Sequence, residues 1–176
     1  SNQAEDCLTL NVATNDTSAC MPVMIWIHGG ALVTGGSSSI MYQLNYLAQR
    51  DVVVVSINYR LGPLGFLRLS EVTNGEVNSS GNEGLKDQRN AIKWVKENIS
   101  SFGGDSNNIT IFGESAGSWS CNLQIAAGHD GLFDKAICQS GGLDAIATKD
   151  KANRWAELFL NQFTEDGFVL SDLKSC

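Results

Sequence analysis

The run Gly113-Glu114-Ser115-Ala116-Gly117 follows the strand-like Ile109-Thr110-Ile111-Phe112 and opens a segment of helix-forming composition. A serine at a sharp strand-to-helix turn has its hydroxyl lifted clear of the sheet edge, and small neighbours let the strained turn close. A helix starting there also brings its positive end and the backbone N–H of Ala116 to where an oxyanion would form. The pattern predicts Ser115 as a nucleophile. A second cluster, Trp26-Ile27-His28-Gly29-Gly30-Ala31, sets two glycines and an alanine just past the end of a strand. Backbone N–H groups there can approach a reacting oxygen with no side chain in the way. Each such donor is worth roughly 3 kcal/mol to a transition state.

A serine hydroxyl is a poor nucleophile without a base. Around an elbow of this kind the chain order is nucleophile, acid, histidine. The chain holds two histidines, and only His129 follows Ser115. Residues 116–128 contain no Asp or Glu, so the ordered triad cannot be completed. His129 lies in Gly128-His129-Asp130-Gly131, a turn composition expected to be a solvated loop. His28 ends an apolar strand and is read as a neighbour of the oxyanion site, not a base. Either the acid and base lie outside these 176 residues or the protein is not a hydrolase.

Composition narrows the alternatives. Twelve Lys plus Arg against nineteen Asp plus Glu give a net charge of −7, and no basic stripe is present to neutralise phosphates, so nucleic acid is not expected as a partner. No apolar run approaches 18 residues and no signal-peptide pattern opens the chain, so stable membrane insertion is not expected. The five cysteines, Cys7, Cys20, Cys121, Cys138 and Cys176, are an odd number without a C-x-x-C pair, which argues against a zinc site. Cys121 and Cys138 fall in a helical and a strand segment and are read as small buried hydrophobes.

The elements that must position these groups alternate between strand and helix. Strands are predicted over Leu8 to Val12, Val23 to Ile27, Ile109 to Gly113 and Lys135 to Gln139. The β-branched run Val52-Val53-Val54-Val55-Ser56-Ile57 suits a strand buried on both faces. Helices are predicted over Leu85 to Asn98, Ala116 to Ala127 and around Lys151 to Asn161. In the first, Leu85, Ile92, Val95 and Ile99 form the apolar side and Lys86, Arg89, Lys93, Lys96 and Glu97 the polar one. Ser70 to Asn82 reads as a polar surface loop. The expectation is an α/β fold, one mostly parallel sheet with crossover helices, over residues 1–176 as a single partial domain.

Several segments in order resemble the type-B carboxylesterase and cholinesterase family of α/β hydrolases, which includes some fungal lipases. They are Glu5 to Val12, Pro22 to Ala31, Ile57 to Leu67, Gly81 to Gln88, Phe102 to Asp105, Gly113 to Gly117 and Gln139 to Gly142. The resemblance implies an α/β-hydrolase fold truncated at both ends, with Ser115 as nucleophile and an oxyanion hole formed by the N–H groups of Gly30, Ala31 and Ala116. Ala31 replaces a glycine of many members but keeps its donor. Glu114 is implied to be held by hydrogen bonds beneath the elbow, and Arg60 and Asp87 to form an internal ion pair. The implied substrate is a small carboxylic ester, and no cofactor is implied. The acid and histidine would follow Cys176, so these 176 residues alone are expected to be inactive. The runner-up reading is a non-catalytic adhesion or binding module, a class whose members typically lack the serine. An apolar lining is hinted at by Leu32, Val33, Trp119 and Leu143. The resemblance implies that Cys7 pairs upstream of this chain, and Cys20 is an alternative partner. Sequons at Asn15, Asn78, Asn98 and Asn108 point to a secreted, extracellular glycoprotein, with Asn78 the favoured acceptor.

Overall fold

A computed structural model describes residues 4–144 and 146–173. Five strands, β1 (Leu10–Ala13), β2 (Met21–Ile27), β3 (Val53–Ile57), β4 (Gly104–Glu114) and β5 (Lys135–Gln139), form one sheet in the order β1-β3-β2-β4-β5. β1 runs antiparallel to β3 and the other pairings are parallel. All five residues of β3 are buried, as its unbroken β-branched run requires of a strand covered on both faces. β2 alternates, with Met21, Val23, Ile25 and Ile27 inward, and these pack with Ile109 and Ile111 of β4 in the main core. The register sets Ile27 opposite both Ile57 and Gly113. The chain therefore leaves β2 and β4 at the same level, and the two glycine clusters emerge side by side.

Among the described residues four helices lie between strands, α1 (Leu44–Ala48), α2 (Gly62–Phe66), α3 (Glu83–Asn98) and α4 (Ala116–Ala126), and α5 (Lys149–Glu165) follows β5. The short α1 and α2 were not legible in the sequence, since five residues are too few to show a helical period. α3 buries Ile92 and Val95 as its periodicity predicts, and it starts two residues earlier than that periodicity, at Glu83. A 3-10 turn, Ile99–Phe102, continues it to Gly103 at φ 80°. A Cβ on Gly103 would meet Asp16 O at 2.0 Å, so only glycine lets the helix end there and β4 begin.

Three expectations are modified. β1 begins at Leu10; the chain before it turns through Cys7 and Thr9, with Thr9 O accepting from Asn58 N at 2.9 Å. The segment from Ser70 to Asn82 is irregular, as expected, but it is not simply solvated: Thr73 and Val77 are buried, and Val77 builds a second, small core with Leu69 and Ala156 of α5. Cys138 is exposed, not buried, because β5 pairs only with β4 and four of its five residues are exposed. Cys121 is buried as expected, and burial is the main cause that pushes its thiol up to about 12. Cys7 and Cys20 are free thiols, and Cys176 lies outside the described residues.

The start of α3 is fixed by a carboxylate. Glu83 lies on the helix's buried side. Its Oε1 accepts from Ser80 N at 2.9 Å and Ser80 Oγ at 2.7 Å, its Oε2 accepts from Gly81 N at 2.9 Å, and Lys86 Nζ lies 3.2 Å away. Burial alone would raise its pKa, but these donors outweigh it and hold the group down at about 2 against an ordinary 4.5. The folded state therefore gains stability from the ionised Glu83 above pH 4.5, and this gain is lost as pH falls from 4.5 towards 2. Glu83→Gln in the intact protein is expected to cost about 2 kcal/mol at pH 7. Thermal midpoints measured against pH check this, since the gap between wild type and variant should close below pH 4.5. A gap that stays constant to pH 2 would show that the carboxylate's charge is not what holds the turn.

Candidate active site

Ser115 stands alone between β4 and α4, half-buried, with φ 56° and ψ −121°. A non-glycine residue held there costs of order 1–3 kcal/mol and persists only where its surroundings fix it. They do so tightly. Ser115 N–H donates to Gln139 O at 2.9 Å, and Ser115 O accepts from Trp119 N at 3.1 Å. The flanking glycines are steric necessities: a Cβ on Gly117 would lie 2.0 Å from Ile27 O, and one on Gly113 2.5 Å from Gly117 C. The helix beginning at the next residue leaves the N–H of Ala116 without an intrahelical acceptor.

The turn after β2 lies against this elbow. A Cβ on Gly29 would sit 3.3 Å from Ser115 Cβ and 2.7 Å from Glu114 O. Gly30, Ala31 and Leu32 follow with φ 114°, 55° and 63°, and the turn is closed by Val33 N and Thr34 N donating to Gly30 O at 3.0 Å. The N–H groups of Gly30 and Ala31 have no acceptor among the described residues. The N–H groups of Gly30, Ala31 and Ala116 are thus three donors without a backbone acceptor among the described residues. Ala31 is tolerated without a glycine because its left-handed conformation costs only about 1 kcal/mol.

The remaining sequence candidates separate clearly. His28 is 1% exposed and stacked on Tyr59 with ring centroids 4.4 Å apart. Its Nδ1–H donates to Gly29 O at 2.8 Å, and burial holds the ring's pKa below its ordinary value. It is a neutral support for the turn. His129 is exposed past the far end of α4, where its Nδ1 accepts from Gly131 N. Eleven helical residues, roughly 16 Å, separate it from the elbow. Glu114 departs from expectation: it is exposed, and no hydrogen bond to its carboxylate is present among the described residues. The last residue of β4 points out over the turn, with Oε2 3.5 Å from where a Gly29 Cβ would sit. Of the hinted apolar lining, Leu32 and Trp119 are half-buried, while Val33 and Leu143 are exposed.

The turn after β2 is supported by an ion pair. Arg60 Nε and Nη2 donate to Asp87 Oδ2 and Oδ1 at 2.8 and 2.9 Å, and Arg60 N adds a third bond at 3.1 Å. Asp87 is 4% exposed, so this is not a solvent-screened surface pair. It fixes the segment leading to Gly62, whose N–H donates to Leu32 O at 2.7 Å, while Tyr59 Oη donates to His28 O at 2.7 Å. Through these bonds the chain after β3 sets the shape of the turn after β2.

A sequence model described as the carboxylesterase family matches residues 1–169. The chain belongs to that family. It is 50% identical over 161 residues to the para-nitrobenzyl esterase of Bacillus subtilis (strain 168), covering 90% of this chain and 32% of that protein. It is 45% identical to the bile salt-activated lipase of Rattus norvegicus over 87% of this chain and 26% of the relative. The crystal structure of a Geobacillus stearothermophilus carboxylesterase superposes with a TM-score of 0.85 at 43% identity, covering 90% of this chain and 34% of that one. The chain thus spans about a third or less of the proteins it matches, and its fold is that of an α/β-hydrolase esterase.

This carboxylesterase chain also carries a buried polar ladder that periodicity did not reveal. Gln88 of α3, fully buried, donates to Ser120 Oγ at 2.9 Å, and Ser120 donates on to Ala116 O at 3.0 Å. Gln124 Nε2 donates to Leu85 O at 2.9 Å. The ladder ties α3 to the first turn of α4, directly behind the elbow. Its one signal in the sequence is a run of small polar residues within a helix, which reads equally well as solvent-facing.

Proposed function

We propose that the protein carrying this chain is a serine carboxylic-ester hydrolase with Ser115 as nucleophile. The observation that carries the reading is the strained backbone of Ser115 at the head of α4, with Gly29 so near that a Cβ on it would lie 3.3 Å from Ser115 Cβ. Ser115 Oγ attacks the acyl carbon and passes its proton to a base supplied from outside these 176 residues. The N–H groups of Gly30, Ala31 and Ala116 receive the charge that develops on the carbonyl oxygen. The alcohol leaves with the proton, and water then hydrolyses the acyl-enzyme. Para-nitrobenzyl esters and lipids are named for the relatives, and the substrate class proposed here is the small carboxylic ester they share. The adhesion-module alternative is not favoured, since nothing in it calls for a strained serine.

An extracellular location accords with this reading. The sequon residues Asn15 and Asn78 are both exposed, whereas Asn98 is engaged by its own helix through Trp94 O and Asn108 accepts from Lys135 Nζ at 2.6 Å. No described helix is long and apolar enough to cross a membrane.

A fluorophosphonate probe tests the nucleophile, because only a base-activated serine reacts with it quickly. In the intact protein the label is expected on Ser115 and is expected to vanish in Ser115→Ala. Labelling elsewhere, or none, would sink the esterase reading.

A further inference from the structure

Ser115 keeps its strained geometry between the last residue of β4, Glu114, and the first of α4, Ala116, and contacts from beyond the elbow bear on it. The loop leaving β5 is pressed against it. A Cβ on Gly141 would lie 2.6 Å from Ser115 O, 2.9 Å from Trp119 Cδ1 and 3.0 Å from Ser118 Cβ, so the glycine backbone touches the first turn of α4 directly. Ser140, just before it, has φ 56°, a second strained residue within a few ångströms of the first.

Two side chains of α4 hold that loop down. Ser118 Oγ donates to Gly141 O at 2.8 Å, and Asn122 Nδ2 donates to the same oxygen at 3.2 Å and to Ser118 O at 3.0 Å. Ser118 is fully buried. With Ser115 N–H bonded to Gln139 O, the residues from Gln139 to Gly141 are clamped to the elbow at both ends. We propose that Ser118 and Asn122 are positioning residues for the nucleophile: by latching Gly141 onto α4 they keep Ser115 in its reactive backbone conformation. They act through the Gly141 loop, over-determining a conformation that would otherwise relax.

This rests on the reading of Ser115 as nucleophile, and two separate measurements on the intact protein distinguish the failure of one from the failure of the other. In Ser118→Ala and Asn122→Asp, which remove one donor each with little change in volume, the pre-steady-state acylation rate on a p-nitrophenyl ester is expected to fall about 10- to 100-fold with KM unchanged. Ile92→Val in the core, a destabilising change remote from the elbow, is expected to leave acylation at the wild-type rate below the melting range. Hydrogen exchange of the Ser115 amide, which needs no chemistry, is expected to accelerate in both latch variants and not in Ile92→Val.

Accelerated exchange together with slowed acylation supports the latch. Accelerated exchange in the latch variants of a protein whose wild type never labels at Ser115 supports the latch and overturns the nucleophile instead. Unchanged Ser115 exchange in both variants, or acylation slowed only in proportion to lost stability and equally in Ile92→Val, overturns the positioning role.

Discussion

Ser115→Ala in the intact protein is expected to lower kcat on p-nitrophenyl esters by roughly 10⁵-fold, leaving only the rate that oxyanion donors and binding sustain without a nucleophile. KM is expected to change little, because the hydroxyl contributes to the transition state and not to ground-state binding. The same logic sets the expectation for the 176-residue chain by itself. Its two histidines cannot serve: His28 is buried and committed to Gly29 O, and His129 lies beyond the opposite end of α4. The isolated chain should hydrolyse these esters no faster than its own Ser115→Ala variant. Initial-rate measurements on the two pairs of proteins check both statements. Ser115-dependent turnover by the isolated chain would mean that one of these histidines moves to the elbow.

Gly117→Ala should reverse the usual rule for a glycine in a helix. Replacing glycine by alanine in a helix interior ordinarily stabilises by about 1 kcal/mol. Here the new Cβ would lie 2.0 Å from Ile27 O and 3.0 Å from Ile27 C. Those are backbone atoms of β2, a central strand paired on both sides, so they cannot yield as the tip of a side chain would. Overpacking should dominate, with a loss of about 3 kcal/mol and a displaced elbow. Gly36→Ala is the matched control: the nearest atom to its Cβ would be Asn58 Oδ1 at 3.7 Å, and the change should be close to neutral. Denaturation midpoints of the two variants decide the matter. A Gly117→Ala protein more stable than wild type would show that β2 and α4 are not in the close contact described.

Much of the site was legible because it depends on local chemistry. Glycines at 113 and 117 around a serine, after a β-branched run and before a helix, describe a turn whose geometry is set within a few residues. The alternation of strand and helix gave the sheet and its mostly parallel sense for the same reason, since burial on two faces writes a continuous apolar run into β3. The exposure of Cys138 and Glu114 was not legible. Each looks like its neighbours in a strand, and only the sheet order, with β5 on an edge and Glu114 at the rim of β4, decides which atoms meet solvent.

The sequence alone pointed to a candidate nucleophile, to the glycine turn proposed to face it, and to the lack of an acid between Ser115 and His129. Local composition and spacing are enough for these, because each is a property of a short segment or of a simple count, whereas the ion pair of Arg60 with Asp87 came only as an implication of the family resemblance. Only the tertiary structure decided that Ile27 stands level with Gly113, so that the two segments meet. It alone showed that Gln88 and Ser120 form a buried ladder and that Ser118 and Asn122 reach Gly141. A serine or asparagine in a helix can face water or a neighbouring carbonyl with the same local conformation, and the choice is made by what packs beside it.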